Sequence, residues 1–301
     1  MLKKLYYKLF KSKDRYNKFK LDQTIIKQQN LFEEKFKNKL FDISNSIHNK
    51  KTLNFLHSGH CGDLIYSLAL IKELSKSHQC NLFIGVGKKI EGAYFKHPAK
   101  GVYIDNRIAK QILPLLKFQS FLNEVKIHSE ENIDINLDLF RDLPISLNFN
   151  SCRWYFHLTG VHVDLSAPYL NSTEHKSIKD KIIILRTFRY RNHFINYKFL
   201  NKIEEDIIFI GLKEEFEDLK KDIPKLQHYE PENFFEMSQI IKSSKFFLGN
   251  QTPAFAIAES LKVPRLLECS PDFTVVQPIG GNCYDFYFQI HFEKWFKKLS
   301  G

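Results

Sequence analysis

No stretch of this 301-residue chain approaches the ~20 consecutive apolar residues that a bilayer-spanning helix needs. The opening, Met1 to Phe10, is broken by Lys3, Lys4 and Lys8, which is too interrupted for a secretory leader. Cysteines number only five, at 61, 80, 152, 269 and 283, and no two are spaced as CxxC. An odd, scattered set argues against a disulfide framework and a zinc site alike, and for a reducing, cytoplasmic location. The twelve histidines form neither HExxH nor HxxxH, so no metal ligand set is expected. The glycines make no GxGxxG, and no Gly-Lys-Ser/Thr follows a glycine loop, which excludes a Walker-type phosphate cradle. Asp134, Asp138 and Asp142 recur every four residues, not as a compact Asp-x-Asp.

What the chain does have is a hydrophobic fraction of 43% with 26% charged residues, the balance of a globular protein with a sizeable core. Its length suits two units of ordinary size. The formal net charge is +11, yet residues 1–51 hold 14 Lys/Arg against 5 Asp/Glu, leaving 31 basic and 29 acidic residues for the rest. The body is nearly neutral and the basicity belongs to an N-terminal arm. That distribution argues against a chain-wide nucleic-acid groove. Residues 2–40 lack Pro and Gly, and their apolar residues predict two or three helical segments. Two readings of the arm stand: a helical cover packed on the body, or a peripheral contact of residues 1–50 with an anionic membrane.

From residue 52 the pattern becomes strand–helix alternation, the mark of parallel sheets. Strands are expected at 53–57, 81–86, 124–127 and 133–139, with helices at 63–74, 108–116 and 151–160. The alternation restarts with the branched run Lys181–Leu185. Strands follow near 206–211, 225–228, 245–248 and 265–268, with helices at 196–203, 214–221, 233–241, 254–261 and 291–299. The expected fold class is α/β, with a basic helical extension (1–51), an N-terminal Rossmann-like lobe (52–160) and a C-terminal one (161–301).

In open parallel sheets, ligands sit beyond the carboxyl ends of strands, where loops enter helices. Three such places carry chemistry here. The first is the turn His57-Ser58-Gly59-His60-Cys61-Gly62-Asp63, whose glycines permit close approach and whose Asp63 is either a functional carboxylate or a helix cap. The second is Arg186-Thr187-Phe188-Arg189-Tyr190-Arg191-Asn192, where Arg186, Arg189 and Arg191 suit a diphosphate through forked hydrogen bonds. The third is Gly249-Asn250-Gln251-Thr252-Pro253. There Thr252 and Pro253 open a helix whose free amides favour an anion.

GHCGDLIYSLALIKEL (59–74), IDINLDLFRD (133–142) and FFLGNQTPAFAIAESLKVPRLLE (246–268) resemble, in order and spacing, three segments of the heptosyltransferase-like glycosyltransferases, glycosyltransferase family nine. The resemblance covers about residues 52–290 and leaves out the arm. It implies the GT-B fold, with acceptor on the N-terminal lobe and nucleotide-sugar on the C-terminal lobe. It puts the family's general base on Asp63 and the acceptor side at Gly59, His60, Gly62, Asp138 and Arg141. Donor contacts then fall to Arg186, Arg189, Arg191, Asn250, Gln251 and Thr252, with Glu259 reaching a ribose. The chain departs from the family pattern in three places: Gln251-Thr252-Pro253 replaces Asp-Ser/Thr-Gly, Ala256 stands where the family has a His, and Lys262 where it has a Gly.

The implied activity is inverting, metal-independent transfer from a nucleotide-diphosphate sugar to a glycan or lipid-linked acceptor, with no cofactor. Two other readings are compatible with the same residues. One is a catalytically silent GT-B-fold binding or assembly protein, motivated by positions 251 and 256. The other is a nucleotide-sugar epimerase, which would want more acid/base groups.

Overall fold

The computed structural model describes residues 2–90 and 99–301, and of Leu2 its backbone alone. Three helices lead: α1 (Leu2–Phe10), α2 (Lys13–Lys35) and α3 (Lys37–Asn49). Ser12 caps α2 by accepting from the Arg15 N–H. The third of these helices joins the body, through buried Ile43, the half-buried Leu40 and Ile47, and the Lys50–Asp134 ion pair just after it.

The first lobe is a four-stranded, all-parallel sheet in the order β3-β2-β1-β4. Its elements are β1 (Thr52–His57), α4 (Cys61–Leu74), β2 (Gln79–Ile84), α5 (Asn106–Lys117), β3 (Glu124–Ile127) and β4 (Ile135–Asn136). β4 is only two residues long because Asn136 caps a 3-10 turn over Leu137–Asp142, so the strand expected to run to 139 stops early. α6 (Cys152–Thr159) follows and ends at Gly160, whose φ of 75° is the left-handed conformation that closes a helix.

The second lobe is a six-stranded parallel sheet in the order β10-β9-β8-β5-β6-β7. It comprises β5 (Ile182–Leu185), β6 (Ile207–Ile210), α7 (Lys213–Lys220), β7 (Gln227–Tyr229), α8 (Phe234–Lys242), β8 (Phe246–Gly249), α9 (Pro253–Leu261), β9 (Arg265–Glu268), β10 (Cys283–Phe286) and α10 (Gln289–Ser300). β5, β6, β8 and β9 are buried at every residue, as runs covered on both faces must be. The α-helix expected at 196–203 is instead a short 3-10 turn, Lys198–Lys202. The edge strand β10 has no counterpart among the expected elements.

One apolar core runs through both lobes, because α4 of the first packs on α9 of the second and α5 packs on α8. A second core lies on the other face of the larger sheet, where Phe246, Phe286, Phe292 and Phe296 are buried. All strands run parallel, but the order in which they are added reverses between β1 and β4 in one sheet and between β5 and β8 in the other. Those two switch points are where parallel sheets open a crevice for ligands.

Candidate active site between the lobes

The two switch points face each other, and their helices meet at the N-termini. A side chain added at Gly62, in the first turn of α4, would lie 3.9 Å from Pro253 at the start of α9. Between them is a cleft of about 350 Å³ lined from both lobes. Two helix N-termini directed at one space favour negative charge there.

In each lobe one side chain clips together the loops that flank the switch point. In the first lobe this is Asp138, whose Oδ1 accepts from the Ser58 N–H at 3.0 Å and from Arg141 Nη1 at 3.2 Å. Its Oδ2 takes Lys88 at 3.1 Å. Burial alone would raise the Asp138 carboxyl, but His57, the Ser58 amide, Arg141 and Lys88 outweigh it and hold it below the usual range. In the second lobe the clip is Asn250, which is fully buried. Its Oδ1 accepts from the Thr187 N–H at 3.0 Å, and its Nδ2 donates to the carbonyls of Thr187 and Arg189 at 3.1 and 2.8 Å. Gly249 is required beside it, because a Cβ there would lie 2.5 Å from the Leu185 carbonyl oxygen.

Asp63 does not cap α4: the helix has no side-chain cap, and the Asp63 carboxylate accepts from Arg141 Nη2 at 2.7 Å. The guanidinium lies over the rings of Phe140 and Tyr103, 4.2 and 4.9 Å from their centroids. Behind Asp63 is a buried polar chain. The Tyr155 hydroxyl donates to the Asp63 carbonyl at 2.9 Å and lies 2.9 Å from His57 Nε2. Gly59 N–H donates to His57 Nδ1 at 3.1 Å. With Tyr155 already donating, this network assigns the His57 proton to Nε2. Burial pulls His57 down to about 4, outweighing the pull of Asp138 the other way, so the ring is neutral at neutral pH.

Of the residues singled out from sequence, His60, Gly62, Asp63, Arg189, Gln251 and Thr252 line the cleft. The others are absent from its lining, and four of the donor-side candidates are engaged elsewhere. Arg186 is committed to Glu268, with Nε and Nη2 at 2.7 and 2.9 Å from its oxygens. Tyr197 Oη and the Asn192 N–H complete that buried carboxylate, each at 2.7 Å. Arg191 braces its own loop through the Thr187 carbonyl at 2.9 Å and Asp218 at 2.5 Å. Glu259 is 3% exposed and is held by Lys262 and by Arg265 Nε at 2.5 Å. Asn250 is spent on its clip. On the acceptor side Gly59, Asp138 and Arg141 stand behind Asp63 in the same way.

Several cleft residues were not anticipated. Tyr66 follows Asp63 by three positions on α4, a spacing that puts both on one face. Its hydroxyl is buried with no hydrogen-bond partner among the described residues, and so is Gln251 Oε1. Both side chains line the cleft and are more than nine-tenths buried. Unpartnered buried polar atoms are costly, and a polar ligand would satisfy these two. Glu215, in the first turn of α7, accepts from the Phe188 N–H at 3.3 Å, and burial pushes its carboxyl above the ordinary range. The carboxyl-end rule applied to β6 would have found it. No group of three His, Cys, Asp or Glu is placed to hold a metal among the described residues.

No family model and no curated protein matches the sequence. Solved structures do. The E. coli heptosyltransferase WaaC with ADP aligns at TM-score 0.57 and 10% identity, over 83% of this chain and 100% of that one. The dodecameric iron-containing heptosyltransferase TibC, in complex with ADP-D-beta-D-heptose, aligns at 0.51 and 10%, over 78% of this chain and 63% of that one. A glycosyl transferase family 9 protein of Veillonella parvula aligns at 0.49 and 9%, over 83% and 89%. At such identities the fold is what is shared, and this chain has the two-lobed, heptosyltransferase-like GT-B fold.

Proposed function

We propose that this protein is an inverting, metal-independent glycosyltransferase using a nucleotide-diphosphate sugar, with a glycan or lipid-linked acceptor. The observation that carries the reading is the cleft itself. It holds the Asp63 carboxylate between two facing helix N-termini, beside two buried polar atoms that lack partners among the described residues. In this reading Asp63 takes the proton from an acceptor hydroxyl as its oxygen attacks the anomeric carbon. The departing diphosphate is met by Arg189 and by the amides opening α9, and the sugar hydroxyls by Gln251 and the Tyr66 hydroxyl. No cofactor takes part. The same reading places the enzyme in the cytoplasm, brought to the inner face of a membrane by residues 1–50.

The Asp63–Arg141 ion pair favours a second reading. A carboxylate already engaged at 2.7 Å suits a silent binding protein that has kept the fold. Nucleotide release separates the two. Incubated with nucleotide-diphosphate sugars and no acceptor, a transferase releases nucleotide slowly, and Asp63→Asn should cut turnover roughly 10²-fold with donor affinity kept. Donor binding seen as a thermal shift, with no release by either protein, would establish the silent binder. No shift with any nucleotide or nucleotide-sugar would remove the donor site altogether.

A further inference from the structure

The arm divides into parts with different surroundings. α3 belongs to the body: Ile43 is buried, and the Ile47 carbonyl lies 2.9 Å from His78 Nε2. α2 has no buried residue in its 23 and reaches about 34 Å at the usual helical rise. α1 folds back on the start of α2, where the Tyr7 and Phe19 rings stack at 4.5 Å.

That fold-back has a consequence for the other face of α1. Tyr7 turns inward, so Leu5 and Leu9, which share the opposite side of the helix, turn outward, with Tyr6 and Phe10 beside them. Leu9 and Phe10 are 62% and 71% exposed, Leu5 and Tyr6 about half. Around this apolar face the charge is of one sign: residues 2–20 contain eight Lys/Arg and one acidic residue, Asp14. Like-charged tips repel, which disfavours a second copy as the cover. Aliphatic Leu5 and Leu9 have nothing to gain from a nucleic-acid backbone. An anionic bilayer meets both requirements, accepting apolar side chains among its acyl chains while its headgroups attract the lysines.

We infer that α1 is an interfacial anchor that inserts Leu5, Leu9 and Phe10 into an anionic lipid surface, with α2 as the spacer that joins it to the lobes. The inference rests on the membrane-side role proposed for the arm and is independent of the transferase chemistry. It names nine residues, not fifty, as the lipid contact. α3 is then part of the fold, so removing residues 1–50 would strip Ile43, Leu40 and Ile47 from the core and report on stability instead.

The test uses the full chain and two substituted forms, L5S/L9S/F10S and K3Q/K4Q/K8Q, with vesicles of phosphatidylglycerol in phosphatidylcholine or of phosphatidylcholine alone. The unaltered protein should bind the anionic vesicles at low salt and the neutral ones at least about tenfold less tightly. Each triple substitution should weaken anionic binding by at least about tenfold, and the lysine form should also lose salt dependence. Helical content and the thermal shift with nucleotide-sugar should be unchanged. The inference is overturned if the full chain ignores anionic vesicles, or if neither substitution reduces binding. It is equally overturned if light scattering finds an oligomer that L5S/L9S/F10S dissolves. Vesicle binding without any nucleotide shift would sink the transferase reading and leave the anchor standing.

Discussion

Arg141 reaches Asp63 across Gly59. The guanidinium Nη2 that donates to Asp63 at 2.7 Å occupies the space a side chain at 59 would need, since a Cβ there would lie 2.2 Å from it. Gly59 therefore acts on the proposed base at second hand, by leaving room for the group that orients it. Gly59→Ala should displace the guanidinium from both Asp63 and Asp138. We expect a folded protein destabilised by about 1–3 kcal/mol, with turnover down more than tenfold and donor affinity within about twofold. Arg141→Ala should reproduce the turnover loss without the steric clash. Normal turnover in either variant would make the ion pair a structural contact alone.

Arg186 and Arg189 are three residues apart in one basic loop, yet their substitutions should fail in different assays. Arg186→Ala leaves Glu268, fully buried, without its cation, which costs about 3–5 kcal/mol and should appear as a large drop in thermal stability. Arg189→Ala removes a cleft-lining cation. It should weaken nucleotide-diphosphate binding by about 1.5–3 kcal/mol, leave the parent nucleoside nearly unaffected and change the melting temperature little. Equal loss of nucleoside and diphosphate affinity in Arg189→Ala would remove it from the phosphate site.

That pair also marks how far the sequence could be read. Branched runs such as Ile182–Leu185 announce buried parallel strands by composition alone, and the loops after them announce a ligand crevice by topology. Which arginine of the loop faces ligand depends on Glu268, 82 residues away, and no local pattern contains that partner. Glu259 is claimed by near neighbours instead, Lys262 at the end of α9 and Arg265 at the start of β9. Asp63 was ambiguous between cap and functional carboxylate until Arg141 was seen to engage it. β10 was missed because an edge strand of four residues with a partly exposed face has no burial period to detect. The arm was legible as basic helix, but not which of its helices packs: Ile43 differs from Ile25 only in having a lobe beneath it.

The neutral His57 beneath Asp63 predicts a pH dependence of stability. Its pKa falls from 6.5 in the unfolded chain to about 4 in the fold, so on acidification the unfolded state takes up the proton first. The folded state keeps this contribution above pH 6.5 and loses it as pH falls toward 4, by about 3 kcal/mol over the whole window. Denaturation between pH 7 and 5 should therefore show stability falling with acid, and His57→Gln, which has no titrating ring, should flatten that slope. Parallel slopes for the two proteins would mean that His57 does not remain neutral in the fold.

Tyr66 allows a prediction in which two measurements move in opposite directions. Its hydroxyl is buried in the cleft wall without a partner among the described residues, and such a group costs about 1–3 kcal/mol of stability. Tyr66→Phe removes the orphan atom and leaves the ring packed, so the ligand-free protein should melt at the same temperature or higher. If the hydroxyl serves the donor sugar, the same substitution should weaken nucleotide-sugar binding by about 0.5–1.5 kcal/mol and leave the plain nucleotide diphosphate untouched. A core tyrosine with an ordinary packing role would behave differently, with sugar and nucleotide affinity both unchanged. Gln251→Leu provides the matching control on the other lobe, because its Oε1 is orphaned in the same wall. The double substitution should lose more sugar affinity than either alone, with nucleotide affinity kept. Loss of nucleotide affinity in Tyr66→Phe would instead move Tyr66 from the sugar to the phosphate end of the cleft.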